Sequence, residues 1–118
     1  MKSIEGRKRR HLRIRKKIFG SSQRPRLVVF RSLKNLFVQA IDDEKSHTLF
    51  SCSTLNKEVK EKTSYGGNIK AAQILGEIFA RKAKEKGITK VIFDRAGFYY
   101  HGRIKAFCEA IRKEGLEF

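Results

Sequence analysis

At 118 residues the chain is long enough for one domain and not comfortably for two. Its formal charge of +16, from 28 basic and 12 acidic side chains, indicates a partner that is a polyanion. Its two cysteines predict neither a disulfide framework nor a metal pair, and no apolar run is long enough to span a bilayer or to form a secretory leader. We therefore expect a soluble, intracellular protein in which the thiols are small buried side chains.

The first 23 residues form a predicted basic arm. Residues 1–26 contain 11 basic side chains and one acidic side chain, Glu5, a net charge of +10. The arm lacks the apolar surface that would offset its chain entropy, so we expect it to be disordered when free and to become helical against phosphates. A solvated face and an organelle import signal are alternatives for such a run, but its charge density favours nucleic acid.

The folded part, residues 24–118, begins with three predicted strands. The run 27–30 is continuously apolar, which is typical of a strand buried on both faces. A hairpin turn at 32–35 leads to a second strand at 36–41. The third, 47–54, mixes apolar and polar side chains and is predicted to be an edge strand.

Two helices and a fourth strand follow. Residues 56–65 predict a loop or a short helix, and Asn68 is a good N-cap for a long helix that Gly87 ends. That helix has one apolar face, made by Ile69, Ala72, Leu75, Phe79 and Ala83.

The fourth strand is the apolar run 90–93, and the last helix begins near Arg103 and ends at Gly115. Its apolar face holds Ile104, Phe107, Cys108 and Ile111, and Leu116 and Phe118 are expected to fold back onto the core. The order is β-β-β-α-β-α, an α/β fold with a mixed four-stranded sheet and two main helices. A parallel crossover joins strands three and four, and strands one and four should be neighbours in the interior of the sheet.

The connection from Asp94 to Arg103 gathers aromatic rings, guanidinium groups, an imidazole and two glycines. Such a connection is held rigidly by the elements beside it, and arginine and aromatic side chains suit phosphates and bases. We interpret it as part of a nucleic-acid contact surface. For Gly97 and Gly102 alone a turn-forming role is favoured, and Phe98 with one neighbouring tyrosine can simply cap the core.

Several long motifs resemble bacterial-type ribosomal protein eighteen of the large subunit, and the resemblance runs from end to end. They are the segments 24–32, 39–43, 66–68, 87–95, 100–103 and 114–118. The resemblance implies binding to 5S ribosomal RNA and its attachment to the large-subunit rRNA in the central protuberance, beside the other 5S-binding proteins. It also implies a strand order of three-two-one-four, in a topology related to ribonuclease H.

On this interpretation the arm neutralises phosphates, and the folded part supplies fixed contacts. The arm residues are Arg7, Lys8, Arg9, Arg10, Arg13, Arg15, Lys16 and Lys17, and those of the folded part are Arg24, Arg26, Arg31, Lys34, Arg95, Tyr100, His101 and Arg103. No cofactor, metal, membrane or small-molecule substrate is expected. The expected location is the ribosome in the cytoplasm, with a bacterial-type organelle ribosome left open.

A nuclease is the alternative from a different class. Asp42, Asp43 and Asp94 lie at predicted strand ends, and paired carboxylates can hold two metal ions. Adjacent aspartates in a turn usually just bend the chain, however, and no histidine or glutamate completes a site. A third interpretation, a membrane-surface segment at residues 7–17, is weak because that run lacks aromatic anchors.

Overall fold

The computed structural model describes the backbone of residues 2–15, 18–94 and 100–118. The described part contains four helices and four strands. Their order confirms the predicted β-β-β-α-β-α arrangement, with one helix ahead of it and a short helix before its first main helix. The elements are α1 (Lys2–Arg15), β1 (Arg26–Arg31), β2 (Leu36–Asp42), β3 (His47–Ser53), α2 (Lys57–Lys60), α3 (Ile69–Glu85), β4 (Ile92–Asp94) and α4 (Gly102–Lys113).

The strands form one mixed sheet in the order β3-β2-β1-β4. β2 pairs antiparallel with both β1 and β3, whereas β1 and β4 are parallel. This confirms the strand order that the resemblance implied, the edge position of β3 and the pairing of strands one and four.

The expectation that strand four lies in the interior of the sheet is wrong, because β4 is an edge strand. Its apolar character has another cause, since the C-terminal residues cover part of that edge. Glu117 forms a parallel bridge with Lys90, accepts a hydrogen bond from the Val91 N–H and donates one to the Thr89 carbonyl. Leu116 is buried, and the Phe118 ring lies 5.9 Å from that of Phe93. The predicted return of the C-terminus to the core is confirmed.

The core lies between one face of the sheet and the helices α3 and α4. Leu27 and Val29 of β1 meet Phe79 of α3 and Phe107 of α4, and none of the four is exposed to solvent. Phe79 is also stacked on Phe50 at 4.7 Å between ring centroids. Such burial of apolar side chains provides most of the stability of a domain this size.

Both cysteines are buried, as predicted, and both are free thiols. Burial raises the pKa of the Cys108 thiol to about 12, so that it remains neutral at physiological pH. Both thiols therefore behave as small apolar side chains in the core.

The start of α3 confirms its predicted cap and corrects one predicted core residue. The Asn68 side-chain oxygen accepts a hydrogen bond from the Ala71 N–H at 2.9 Å. Ile69, predicted on the apolar face, is 51% exposed. It stands in the first turn of α3, ahead of the point at Gly76 where that helix crosses α4. The helices end before Gly87 and Gly115, as their sequences predict.

Gly76 sets how closely α3 and α4 approach. A Cβ atom at this position would lie 2.6 Å from the Ala110 Cβ and 3.0 Å from the Phe107 carbonyl oxygen.

We expect Gly76→Ala to lower the free energy of unfolding by about 1–3 kcal/mol, because the overpacking outweighs the roughly 1 kcal/mol that alanine adds to helix propensity. Urea unfolding measures this. Glu77→Ala, at the exposed neighbouring position, is the control and should change stability by less than about 0.5 kcal/mol.

Candidate nucleic-acid interface

The arm contains the helix α1, which lies against β4. Three of the predicted contact residues on it, Lys8, Arg9 and Arg13, are exposed, and Arg10 is half-buried. Arg7 and Arg15 belong to the same helix, whereas Lys16 and Lys17 lie outside the described residues. The disorder expected of the arm in the absence of RNA stays a prediction.

The arm is anchored to the sheet through His11. Its Nε2 lies 2.9 Å from Oδ2 of Asp94, a side chain that is completely buried at the end of β4. The same carboxylate oxygen accepts a hydrogen bond of 2.7 Å from an Nη of Arg26. The imidazole therefore shares a buried acceptor with an arginine of the sheet, which ties α1 to the folded part.

A second carboxylate completes this network. Asp43 accepts two hydrogen bonds from Arg26, at 2.9 Å and 3.0 Å, through the planar fork of the guanidinium. It also accepts one of 2.7 Å from the Gly20 N–H, and its own N–H donates to the Gly20 carbonyl. The turn after β2 thus holds the last residues of the arm.

Arg26 was predicted to contact RNA, but the structure gives it a different role. Its guanidinium is buried and occupied by Asp43 and Asp94. Burial alone would lower the pKa of Arg26, but the hydrogen bonds and charges of the two aspartates outweigh it and raise that pKa. We therefore reassign Arg26 from phosphate contact to positioning the arm.

The three aspartates that the nuclease alternative requires as metal ligands are already engaged by other groups. Asp43 and Asp94 are compensated by Arg26, while Asp42 accepts a hydrogen bond of 3.0 Å from the Glu44 N–H within the turn. Among the described residues no group of three or more histidines, cysteines and carboxylates could hold a metal ion.

A second cationic surface lies at the opposite end of β1. An Nη of Arg103 donates a hydrogen bond of 2.8 Å to the Ser32 carbonyl, and the other Nη one of 3.4 Å to the Asn35 carbonyl. Arg31 and Lys34 are exposed on the same hairpin. Burial, together with the positive charge of Arg31, lowers the pKa of Arg103. Three of the predicted contact residues are therefore brought together at this end.

The segment before α3 packs against that hairpin. A Cβ at Gly66 would lie 2.7 Å from Asn35 Oδ1, and one at Gly67 would lie 2.7 Å from the Tyr65 hydroxyl. Thr54 donates a hydrogen bond of 2.9 Å to the Asn35 side chain. The two glycines are therefore needed for close approach, in addition to preceding the cap of α3.

The remaining predicted residues are less closely grouped. Arg24 and His101 are exposed, and His101 is the N-cap residue of α4. Tyr100 is 40% exposed. Partial burial raises the pKa of its hydroxyl, to which Cys108 and Glu109 add and which Arg112 opposes. Arg95 and the neighbouring Gly97 and Phe98 lie outside the described residues. Gly102 has a φ of 56°, which supports the turn-forming role favoured for it.

Sequence reasoning did not single out His11 or Tyr65. His11 stood within the basic run, and nothing local marked it as the anchor of the arm. Tyr65 is 49% exposed in the loop before α3. An aromatic residue in an otherwise polar segment, directly before two glycines, is the signal that could have identified it.

Chemically, the described part offers cationic and aromatic surfaces and no catalytic constellation. None of its helices combines the length and the apolar character that a membrane crossing requires. The arrangement is suited to binding a polyanion.

Comparison with known proteins agrees with this chemistry. A family model described as ribosomal L18 of archaea, bacteria, mitochondria and chloroplasts matches residues 1–118. Three similar relatives carry the name large ribosomal subunit protein uL18. The one from Aquifex aeolicus is 57% identical over 97% of this chain and 94% of its own length. The one from Caldicellulosiruptor saccharolyticus is 56% identical over 92% of this chain and 88% of its own length. The one from Dictyoglomus thermophilum is 55% identical over 97% of this chain and 93% of its own length.

The role of Arg26 is tested by Arg26→Met. We expect it to lower the free energy of unfolding by about 3–5 kcal/mol, because two buried carboxylates lose the cation that compensates them. Urea unfolding at neutral pH measures the loss. Arg24→Met, two residues earlier and exposed, should change stability by less than about 0.5 kcal/mol. Adding Asp43→Asn and Asp94→Asn to Arg26→Met should recover part of the loss. An unchanged unfolding midpoint for Arg26→Met would contradict the assignment.

Proposed function

The chain belongs to the ribosomal L18 family of archaea, bacteria, mitochondria and chloroplasts, and on that premise we propose that it binds 5S rRNA and helps to attach it to the large-subunit rRNA in the central protuberance. It is a structural, RNA-binding protein of the large ribosomal subunit and not an enzyme. Its location is the ribosome. We place that ribosome in the cytoplasm, with a bacterial-type organelle ribosome as the alternative, and the neighbouring 5S-binding proteins beside it.

The distribution of positive charge supports this proposal most directly. Exposed cations of α1 lie on the arm, while Arg31 and Lys34 lie at the β1–β2 turn. The arm is anchored at Arg26, the other end of β1 from Arg31, and five residue steps along a strand span roughly 16 Å. Two separate cationic regions suit a protein that holds one RNA segment against another.

The contacts follow from the form of double-stranded RNA. Its base edges lie in a deep, narrow groove, so recognition depends on backbone, 2′-hydroxyls and looped bases. We propose that the arm cations neutralise phosphates and release counterions, and that Arg24, Arg31, Lys34, Arg95, Tyr100, His101 and Arg103 supply fixed contacts. The boundary of the arm at residue 23 is part of the same proposal.

The arm's role is tested with the full-length chain. Deleting residues 1–23 would also remove Gly20, whose N–H donates a hydrogen bond to Asp43, and could disturb the fold. Lys8, Arg9, Arg10 and Arg13 are changed to Gln, and affinity for a 5S rRNA transcript is measured over a salt series. The slope of log affinity against log salt should fall by about 3 to 4 units, taking duplex DNA as a guide.

The matched control changes Lys60, Lys62, Lys84 and Lys86 to Gln. These four exposed lysines lie on and after α2 and at the end of α3, so the net charge falls equally. The control should retain most of the wild-type slope. Equal slopes for the wild type and the arm variant would refute the arm's role, and failure of the wild type to prefer 5S rRNA over a transfer RNA would refute the proposed RNA.

A further inference from the structure

Three segments at the end of the sheet that carries the β1–β2 turn form one surface, here called the hairpin-end surface. They are residues 31–35, residues 63–70 before and at the start of α3, and residues 100–105 at the start of α4. The surface exposes four large apolar or aromatic side chains: Leu33 is 82% exposed, Ile69 51%, Tyr65 49% and Tyr100 40%. Exposed apolar side chains gathered in this way are typical of a contact site.

Contacts between the segments make the surface rigid. Arg103 binds the Ser32 and Asn35 carbonyls, which fixes α4 to the turn. Gly67 lies directly under the end of the Tyr65 ring, since a Cβ there would be 2.8 Å from the Tyr65 Cζ and 2.9 Å from the Leu33 carbonyl oxygen. The ring is thereby held in one place while about half of it stays exposed. A ring ordered in advance loses little entropy on binding.

The charge on this surface is of one sign. Its three segments contain no aspartate or glutamate and five basic side chains: Arg31, Lys34, Lys70, Arg103 and Lys105. From residue 27 onward the chain has 17 basic and 11 acidic side chains, a net charge of +6. Without the five basic residues of the hairpin-end surface, residues 27–118 have 12 basic and 11 acidic side chains, a net charge of only +1.

This combination selects the kind of partner. The five cations of these segments attract phosphates, and the exposed Tyr65 ring on the same surface offers a stacking face. The bases of a duplex are already stacked on one another, and their edges are hidden in a narrow groove. An unpaired base that lies outside the stack can instead stack on the ring, while its flanking phosphates bind the cations.

We propose that the hairpin-end surface seats an unpaired RNA nucleotide, with its base stacked on Tyr65 and its flanking phosphates bound by Lys34, Lys70 and Arg103. This inference rests on the proposed function and adds to it a class of substrate element, a looped or bulged base. It assigns to Tyr65 a contact that the basic residues alone do not supply. Leu33 and Ile69 line the apolar border of the seat.

A pair of substitutions at Tyr65 tests the stacking contact in the full-length chain. Tyr65→Leu removes the aromatic face and should weaken binding of a 5S rRNA transcript about 5- to 150-fold, the range measured for loss of one stacked base. Tyr65→Phe keeps the ring and should bind within about twofold of the wild type. Equal affinity of the wild type and Tyr65→Leu would overturn the proposal. Thermal unfolding identifies any loss of affinity that comes from misfolding, and in that case chemical probing of the transcript bound to the wild type decides instead.

Chemical probing of the bound transcript locates the nucleotide. One unpaired nucleotide should lose reactivity toward 2′-hydroxyl acylation, which reports the mobility of any of the four nucleotides, when the wild type or Tyr65→Phe is bound, and keep that reactivity with Tyr65→Leu. Protection confined to duplex backbone would overturn the inference. So would variants that bind RNA normally but lose association with another large-subunit protein, because the surface would then be a protein-docking face.

The outcomes also separate this inference from the proposed function. If the wild type binds 5S rRNA and Tyr65→Leu binds it equally well, only the inference fails. If the wild type does not bind 5S rRNA, the proposed function fails, and the surface is tested with a single-stranded oligoadenylate of 12 nucleotides. Tighter binding of that probe by the wild type than by Tyr65→Leu would support the stacking seat, and equal binding would overturn it.

Discussion

The Arg26 guanidinium joins parts of the chain that are far apart in sequence, and the arrangement of the arm depends on it. It binds Asp43 after β2 and Asp94 at the end of β4. Each carboxylate in turn holds part of the arm, Gly20 in one case and His11 in the other. Charges removed from water must be paired, and Arg26 is the cation that two largely buried carboxylates share. The point at which the arm leaves the sheet is therefore set by buried charge.

Away from that network, the acidic side chains are distributed so that cations are neutralised in some places and left unneutralised in others. Glu58 of α2 lies 2.6 Å from an Nη of Arg81 and 3.2 Å from the Lys82 Nζ on α3. The hairpin-end surface has no acidic residue in its three segments. Basic side chains thus support the fold in one place and present a charged surface in another. Such a division suits a protein that assembles with RNA, since binding then requires little rearrangement of the folded part.

The elements could be predicted because each has a local cause. Alternation and continuous apolar runs indicate strands, and Asn68 and Gly87 mark the ends of α3. Two errors share one physical origin. β4 is apolar although it lies at an edge, since Glu117 and Phe118 cover it from a distant part of the chain. Ile69 follows the helical period but lies before the helix crossing, where about half of it stays exposed. Periodicity reports which face is apolar and not what packs against it.

The sequence by itself determined the class of partner, because net charge and its concentration in the first 26 residues depend on composition alone. It also determined the fold class and, through long motifs, the family. Only the tertiary structure decided what individual residues do. Arg26 looked like a phosphate contact until strand pairing brought it to carboxylates 17 and 68 positions away. The sequence did not indicate a role for Tyr65. The structure suggests one, because it packs the ring against Gly67, which also contacts the hairpin backbone. Partners so distant in sequence are set by strand register and helix packing, which no local pattern encodes.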